Sequence, residues 1–174
     1  MTALLILLVL VPWSISRQMR VHEVTTAGLI RLPLIFAAIG VLGFGTGDLD
    51  GSRDAVAYLA VSAAVSVALG VWRGALMPVW TDGAGGVLSQ GNRTTLALWA
   101  LLIGTKVAMG TVASITGIFP GDHPGDIFLF IAVSFAAQNL VVARRVARPA
   151  QLPAPSADQA APTAATRLVT PSLR

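Results

Sequence analysis

An all-α bundle of membrane-crossing helices is the fold class this sequence predicts, and three observations predict it. Hydrophobic residues make up 55% of the chain and charged ones only 11%, a balance at which a water-soluble domain would not stay in solution. The apolar residues fall into five runs, most of them about the length that crosses a hydrocarbon core of roughly 30 Å at about 1.5 Å per helical residue. None of the runs alternates with period two, and Ala and Leu dominate them, which favours helices over the strands of a membrane barrel.

The first run, 2–16, is short for a span. A signal peptide is the rival, but the run has no basic stretch before it and no small-x-small cleavage site before Arg17. With its charge on the far side only, at Arg17 and Arg20, it is expected to be an uncleaved helix with its N-terminus outside. The further spans are expected at 28–45, 55–72, 95–119 and 126–143, all within one transmembrane domain, 1–146. Beyond it, residues 147–174 read "ARPAQLPAPSADQAAPTAATRLVTPSLR", poor in large apolar side chains and rich in proline, and are expected to form a disordered cytoplasmic tail.

Arginine sets the orientation. If the first turn is cytoplasmic, the inner side collects Arg17, Arg20, Arg31, Arg73, Arg93, Arg144, Arg145 and Arg148, whereas the outer loops hold only Arg53 and carry Asp48, Asp50, Asp54, Asp122 and Asp126. This asymmetry predicts five spans in a bacterial cytoplasmic membrane, N-terminus out and C-terminus in. Trp13, Trp72 and Trp99 fall near the cytoplasmic ends, where an amphipathic ring prefers the headgroup layer.

The outer loops are short Gly/Pro/Asp turns. The inner loop 73–93 is longer: Val79-Trp80 and Val87-Leu88 flank "TDGAGG", which predicts a small β-hairpin at the membrane surface. Its Trp80 is expected to dip into the membrane interface, and the sharper alternative makes Trp80 and Asp82 part of a docking element. Within the spans, Ala60, Ala64 and Ala68 recur every four residues, as do Ser62, Ser66 and Gly70, so the third span should approach its neighbours closely and lie centrally.

One lysine stands inside an apolar run. Lys106 lies about 18 Å along the helix from Thr94, past the middle of a core of roughly 30 Å, where a charge costs roughly 2.5 to 3.5 kcal/mol. It should face the bundle interior, and with Asp126, at the edge of the last span, counted with the outer loop and no other acid inside the expected spans, its partners would be carbonyls, Thr105, Ser134 or Gln138. A structural lysine that fixes helix register comes first among the alternatives. An anion-binding lysine comes second, and a proton relay or Schiff base third, since the latter needs a second titratable group nearby. Arg31 and Arg73, near inner helix ends, suit headgroup anchors better than ligands.

Other chemistry is scarce. The net charge of +4 comes from scattered arginines rather than a basic stripe, which points to anionic lipids and away from nucleic acid. With no cysteine, the chain offers no disulfide or thiolate site. His22 and His123 fall on opposite sides of the membrane in this topology, and no HExxH, GxSxG or phosphate-loop motif occurs, so no enzyme activity, metal or cofactor is expected.

The order of these features, "RQMR", then "GLIRLPLIFAAIG", then "GVWRGALMPVWTDGAGGVLSQGNRTTLALWALLIGTK", resembles the CcdC-like family of small multi-spanning bacterial membrane proteins. The resemblance covers roughly residues 1–145 and rests on Gly70, Arg73, Trp80, Asp82, Gly83, Gly86, Trp99 and Lys106. Named from cytochrome c biogenesis gene neighbourhoods, that family implies an accessory role and no established activity. The function expected is therefore a non-enzymatic accessory or scaffold protein, meeting anionic lipids, a membrane-protein partner or a second copy of itself. The alternative is a small transporter in which Lys106 lines an anion or substrate path.

Overall fold

The computed structural model describes residues 2–43, 53–81, 86–117, 124–148 and 152–153. In chain order the elements are α1 (Thr2–Met19), β1 (His22–Glu23), α2 (Thr26–Gly43), α3 (Arg53–Leu76), β2 (Val79–Thr81), β3 (Val87–Ser89), α4 (Arg93–Thr116) and α5 (Pro124–Val146). Four of these helices, α2 to α5, are long and apolar enough to cross a membrane. The first run is also a helix, of 18 residues, but it is not among those four. The expected outer turns, 44–52 and 118–123, the expected hairpin tip 82–85 with Asp82, and nearly all of the expected tail lie outside the described residues.

The helix ends explain themselves locally. Asn92 caps α4 by accepting from the Thr95 backbone N–H at 2.9 Å while its own N–H reaches the Thr95 hydroxyl, and Gly117 closes the helix in the left-handed region at φ 69°. The C-terminal carbonyls of α3 are met by the Arg145 guanidinium, whose Nη1 donates to Gly74 O at 3.1 Å and to Met77 O at 2.7 Å. A cation there also suits the helix dipole. The end of α1 is pinned by the chain entering α4: Gly91 N–H donates to Gln18 O at 2.6 Å and Gln90 Nε2 to Met19 O at 3.3 Å.

The expected hairpin is present as β2 and β3, and it carries a third strand the sequence did not announce. The sheet order is β1-β3-β2, antiparallel throughout, with Ser89 opposite both His22 and Val79. Two residues are too few for any periodic signal, so β1 was legible only as a short link. Trp80 is 1% exposed; it packs inside the fold, which corrects its expected place in the membrane interface. Trp99 is likewise 1% exposed, its Nε1 donating to Gln18 Oε1 at 3.2 Å, whereas Trp13 and Trp72 are about half exposed.

The centre of the bundle is α5, not α3. Half of its apolar stretch is buried, against 22% in α3 and 11% in α2. The reason is a division of labour by size. Helix α5 presents Phe128, Phe130, Ile131 and Phe135 to Phe36, Leu102 and Trp99, while α3 offers a groove of small residues on which α5 lies. A Cβ at Gly70 would run into Ser134 O and, at 2.9 Å, the Ala137 methyl; one at Gly74 would sit 2.7 Å from Gln138 O. Only these two positions in α3 need glycine, and both lie on the stripe Ser62, Ser66, Gly70, Gly74, all buried. The second small stripe, Ala60, Ala64 and Ala68, is exposed on the outer surface of the bundle.

A proline accounts for the tie between α2 and α5. Pro33 inside α2 has no N–H, so the carbonyl four residues earlier, that of Leu29, has no helical donor. Asn139 of α5 fills the gap, donating from Nδ2 to Leu29 O at 2.5 Å. In hydrocarbon such a carbonyl has no water to turn to, so the side-chain donor from the neighbouring helix both satisfies it and fixes the register of the pair.

Candidate functional site

Among the described residues two cations are buried in the bundle, at different levels. Towards the end opposite the sheet, Lys106 of α4 is 4% exposed. Its ammonium donates to Asp126 Oδ2 at 2.5 Å, to the Tyr58 hydroxyl at 3.0 Å and to Ser62 Oγ at 3.2 Å, which uses all three N–H bonds. The Tyr58 hydroxyl in turn donates to Asp126 Oδ2 at 3.1 Å. The Tyr58 and Phe130 rings lie 5.0 and 5.2 Å from Nζ, a cation–π distance.

These partners correct the sequence expectation. Thr105, Ser134 and Gln138 do not hold the lysine; an acid does. Asp126 was assigned to the watery edge of the last span, but α5 begins at Pro124, so Asp126 is a first-turn helical residue turned into the bundle. A carboxylate in a first turn also suits the helix dipole. The signal for the rest was present in the four-residue stripe of α3: extended one turn outward from Ser62 it gives Tyr58. The second titratable group that a proton relay would need is thus supplied twice, by Asp126 and Tyr58.

Beside this cluster lies an apolar groove of about 440 Å³ between α3 and α4, lined by Ala57, Tyr58, Val61, Met109, Val112 and Ala113 among others. It touches the cluster through Tyr58. Asp54 at its rim is exposed.

The second cation, Arg73, lies near the sheet end of α3 and is 1% exposed. This corrects its expected role as a headgroup anchor. Its guanidinium carbon sits 4.6 Å from the Trp99 ring centroid and 5.1 Å from that of Phe135, and Nε donates to Gln138 Oε1. The Gln138 amide nitrogen continues to the Met77 sulfur at 3.4 Å. Among the described residues the sole ion pair is that of Lys106 with Asp126, so Arg73 has no described carboxylate, and its Nη2 has no hydrogen-bond partner. A guanidinium tolerates this better than an ammonium would, because it is more weakly hydrated and stacks on aromatic faces.

A smaller cavity of about 110 Å³ lies at the same level, between α1, the sheet, α2 and α5. Gln18, His22, Ser89, Phe135, Gln138 and Asn139 are among its walls, and so is exposed Glu23. Of the remaining sequence candidates, Arg31 is exposed on α2, and Gln138 is buried at 2% but serves Arg73 rather than Lys106. Among the described residues, no three His, Asp or Glu side chains come together in a way that would hold a metal ion. No protein-family model, curated protein or solved structure matches this chain.

Proposed function

We propose that this chain is a multi-spanning protein of the bacterial cytoplasmic membrane, N-terminus outside and five spans deep, serving as a non-enzymatic accessory or scaffold protein. Its resemblance to CcdC-like proteins extends the proposal to assembly work linked to cytochrome c biogenesis. One observation carries the scaffold reading: the arginine-bearing end is closed by a built cap, in which the β2–β3 pair and the distant strand β1 meet over the ends of α3 and α5. Around that cap Arg20, Arg93, Arg144 and Arg148 are exposed, a basic rim suited to anionic headgroups.

The test has two parts. Because the chain has no cysteine, single-cysteine variants at Arg20 and Gln90 can be labelled in intact cells with a membrane-impermeant maleimide; labelling is expected only after the membrane is opened. The full chain, purified in mild detergent, should then carry phosphatidylglycerol or cardiolipin and a reproducible membrane-protein partner. That partner should be lost when the four rim arginines become glutamine. Surface labelling in intact cells, or a chain recovered without detergent, would end the proposal.

The transporter reading keeps a specific observation in its favour: three titratable groups, Lys106, Asp126 and Tyr58, meet beside a groove. Lys106 is already neutralised by its own carboxylate, however, which removes the free positive charge that an anion path would use. A double variant, Lys106→Met with Asp126→Asn, that fully restores the growth or uptake of a deletion strain would dispose of this reading.

A further inference from the structure

We infer that the groove between α3 and α4 holds one aminophospholipid of the surrounding bilayer, with its ethanolamine ammonium on Asp54 and an acyl chain in the groove. Asp54 is itself a wall of this groove of about 440 Å³, and the only charged one among the described residues that line it. It is exposed, and it forms no ion pair among the described residues. The other walls carry no charge: Ala57 and Ala108 are small, Val61 and Val112 are more than half exposed, and Met109 is a flexible side chain that adapts to an irregular neighbour. Asp54 stands in the first turn of α3, where the apolar stretch begins, so its carboxylate lies at headgroup depth while the groove runs below it into hydrocarbon.

Charge, hydrogen bonding and length select the ligand. Lys106 is no wall of the groove and is neutralised by Asp126, and the Tyr58 hydroxyl, which accepts from Lys106 and donates to Asp126, is engaged in both directions. The charge offered to an occupant is therefore that of Asp54, which favours a cationic head over an anionic one. A carboxylate accepts hydrogen bonds; an ethanolamine ammonium supplies N–H donors, and a choline head does not. Arg53, the preceding residue, is also exposed and does not pair with Asp54, so the first turn of α3 presents both charges of a zwitterionic head. From Asp54 to Val61 the groove follows α3 for about 10 Å, a third of a hydrocarbon core of roughly 30 Å. That length takes the upper part of one acyl chain and leaves the rest in the bilayer. The inference rests on the membrane reading and is independent of its orientation.

The experiment uses the full chain, purified in a neutral maltoside detergent and stripped of lipid, with thermal unfolding as the readout. Phosphatidylethanolamine and phosphatidylcholine of identical acyl chains are titrated separately. A saturable rise in Tm is expected, by mass action on the folded state. Phosphatidylethanolamine should reach half-effect at about fivefold lower concentration, the upper range for one exposed ion pair. Asp54→Asn should erase that preference and leave the phosphatidylcholine response in place. Ala108→Phe, on an exposed wall, should weaken both responses by filling the groove. Glu23→Gln, an exposed acid at the sheet end, should change neither. Equal responses of the wild type to the two lipids, or a preference that survives Asp54→Asn, overturn the inference. So does a stable dimer in detergent that Ala108→Phe dissolves, since a second copy then occupies the groove. Should Asp54→Asn not fold, the wild-type preference and its loss in Ala108→Phe still decide. A chain that stays soluble without detergent ends the membrane reading and this inference together, whereas one that needs detergent and shows no preference ends this inference alone.

Discussion

Lys106 and Arg73, both buried in this bundle, are held by opposite strategies. Lys106 has a complete local set of acceptors, with a carboxylate on α5 and two hydroxyls on α3, so its charge is cancelled within one hydrogen-bond length. Arg73 has one side-chain amide, two aromatic faces and no described acid. A compact, strongly hydrated ammonium needs its counter-charge built in, whereas a planar, weakly hydrated guanidinium can be buried against rings and left with bonding capacity to spare. The hydrogen-bond set of the lysine cluster is therefore closed, and that of the arginine cluster is open.

That contrast is sharpest in the cost of breaking each cluster. Removing one member of the lysine pair leaves the other charge buried alone, so Lys106→Met or Asp126→Asn should destabilise by about 3 to 5 kcal/mol. The double variant should recover much of that loss. Denaturation of all three variants in mixed micelles gives the coupling directly, and a double variant as unstable as the sum of the singles would break the account of a closed pair.

Arg73→Met should cost less, about 1 to 3 kcal/mol, because it strands a neutral amide oxygen on Gln138 and no charge. A loss equal to that of Asp126→Asn would mean that Arg73 has a full counter-charge after all, and would erase the difference between the clusters.

A smaller effect tests whether both clusters share one rigid frame. Asn139→Leu should cost about 1 to 2 kcal/mol through the unmet Leu29 carbonyl. The same change should cost clearly less in a Pro33→Ala background, where the helix supplies its own donor again. Additivity in that cycle would refute the role assigned to Asn139. The smallest effect belongs to Arg31, an exposed arginine outside both clusters: Arg31→Gln should stay within about 0.5 kcal/mol of wild type.

Much of the frame was legible in the chain, for reasons that are local. Hydrophobic runs had to become helices, Val79-Trp80 and Val87-Leu88 had the spacing of paired strands, and Ser62, Ser66 and Gly70 at four-residue spacing had to share a face. The site was less legible. Lys106 was recognised as buried because burial follows from its position in an apolar run, but its partner was missed because Asp126 stands at a hydropathy boundary, where one turn of helix decides between water and core. Arg73 and Trp80 misled in the same way: near a helix end, a sequence pattern does not distinguish a side chain that snorkels outward from one folded beneath a sheet. His22 and Glu23 became a strand only because β3 was there to pair with them.

By itself, then, the sequence determined the helices, their apolar length, the hairpin and the need to shelter one lysine, since these follow from composition and period along a single segment. Only the tertiary structure decided which helix is central, which acid meets Lys106, that Asn139 repairs the gap left by Pro33, and that Arg73 is buried with no acid among the described residues. Each of these depends on the register between segments tens of residues apart, and register is set by side-chain packing across helices, which no one-dimensional pattern contains.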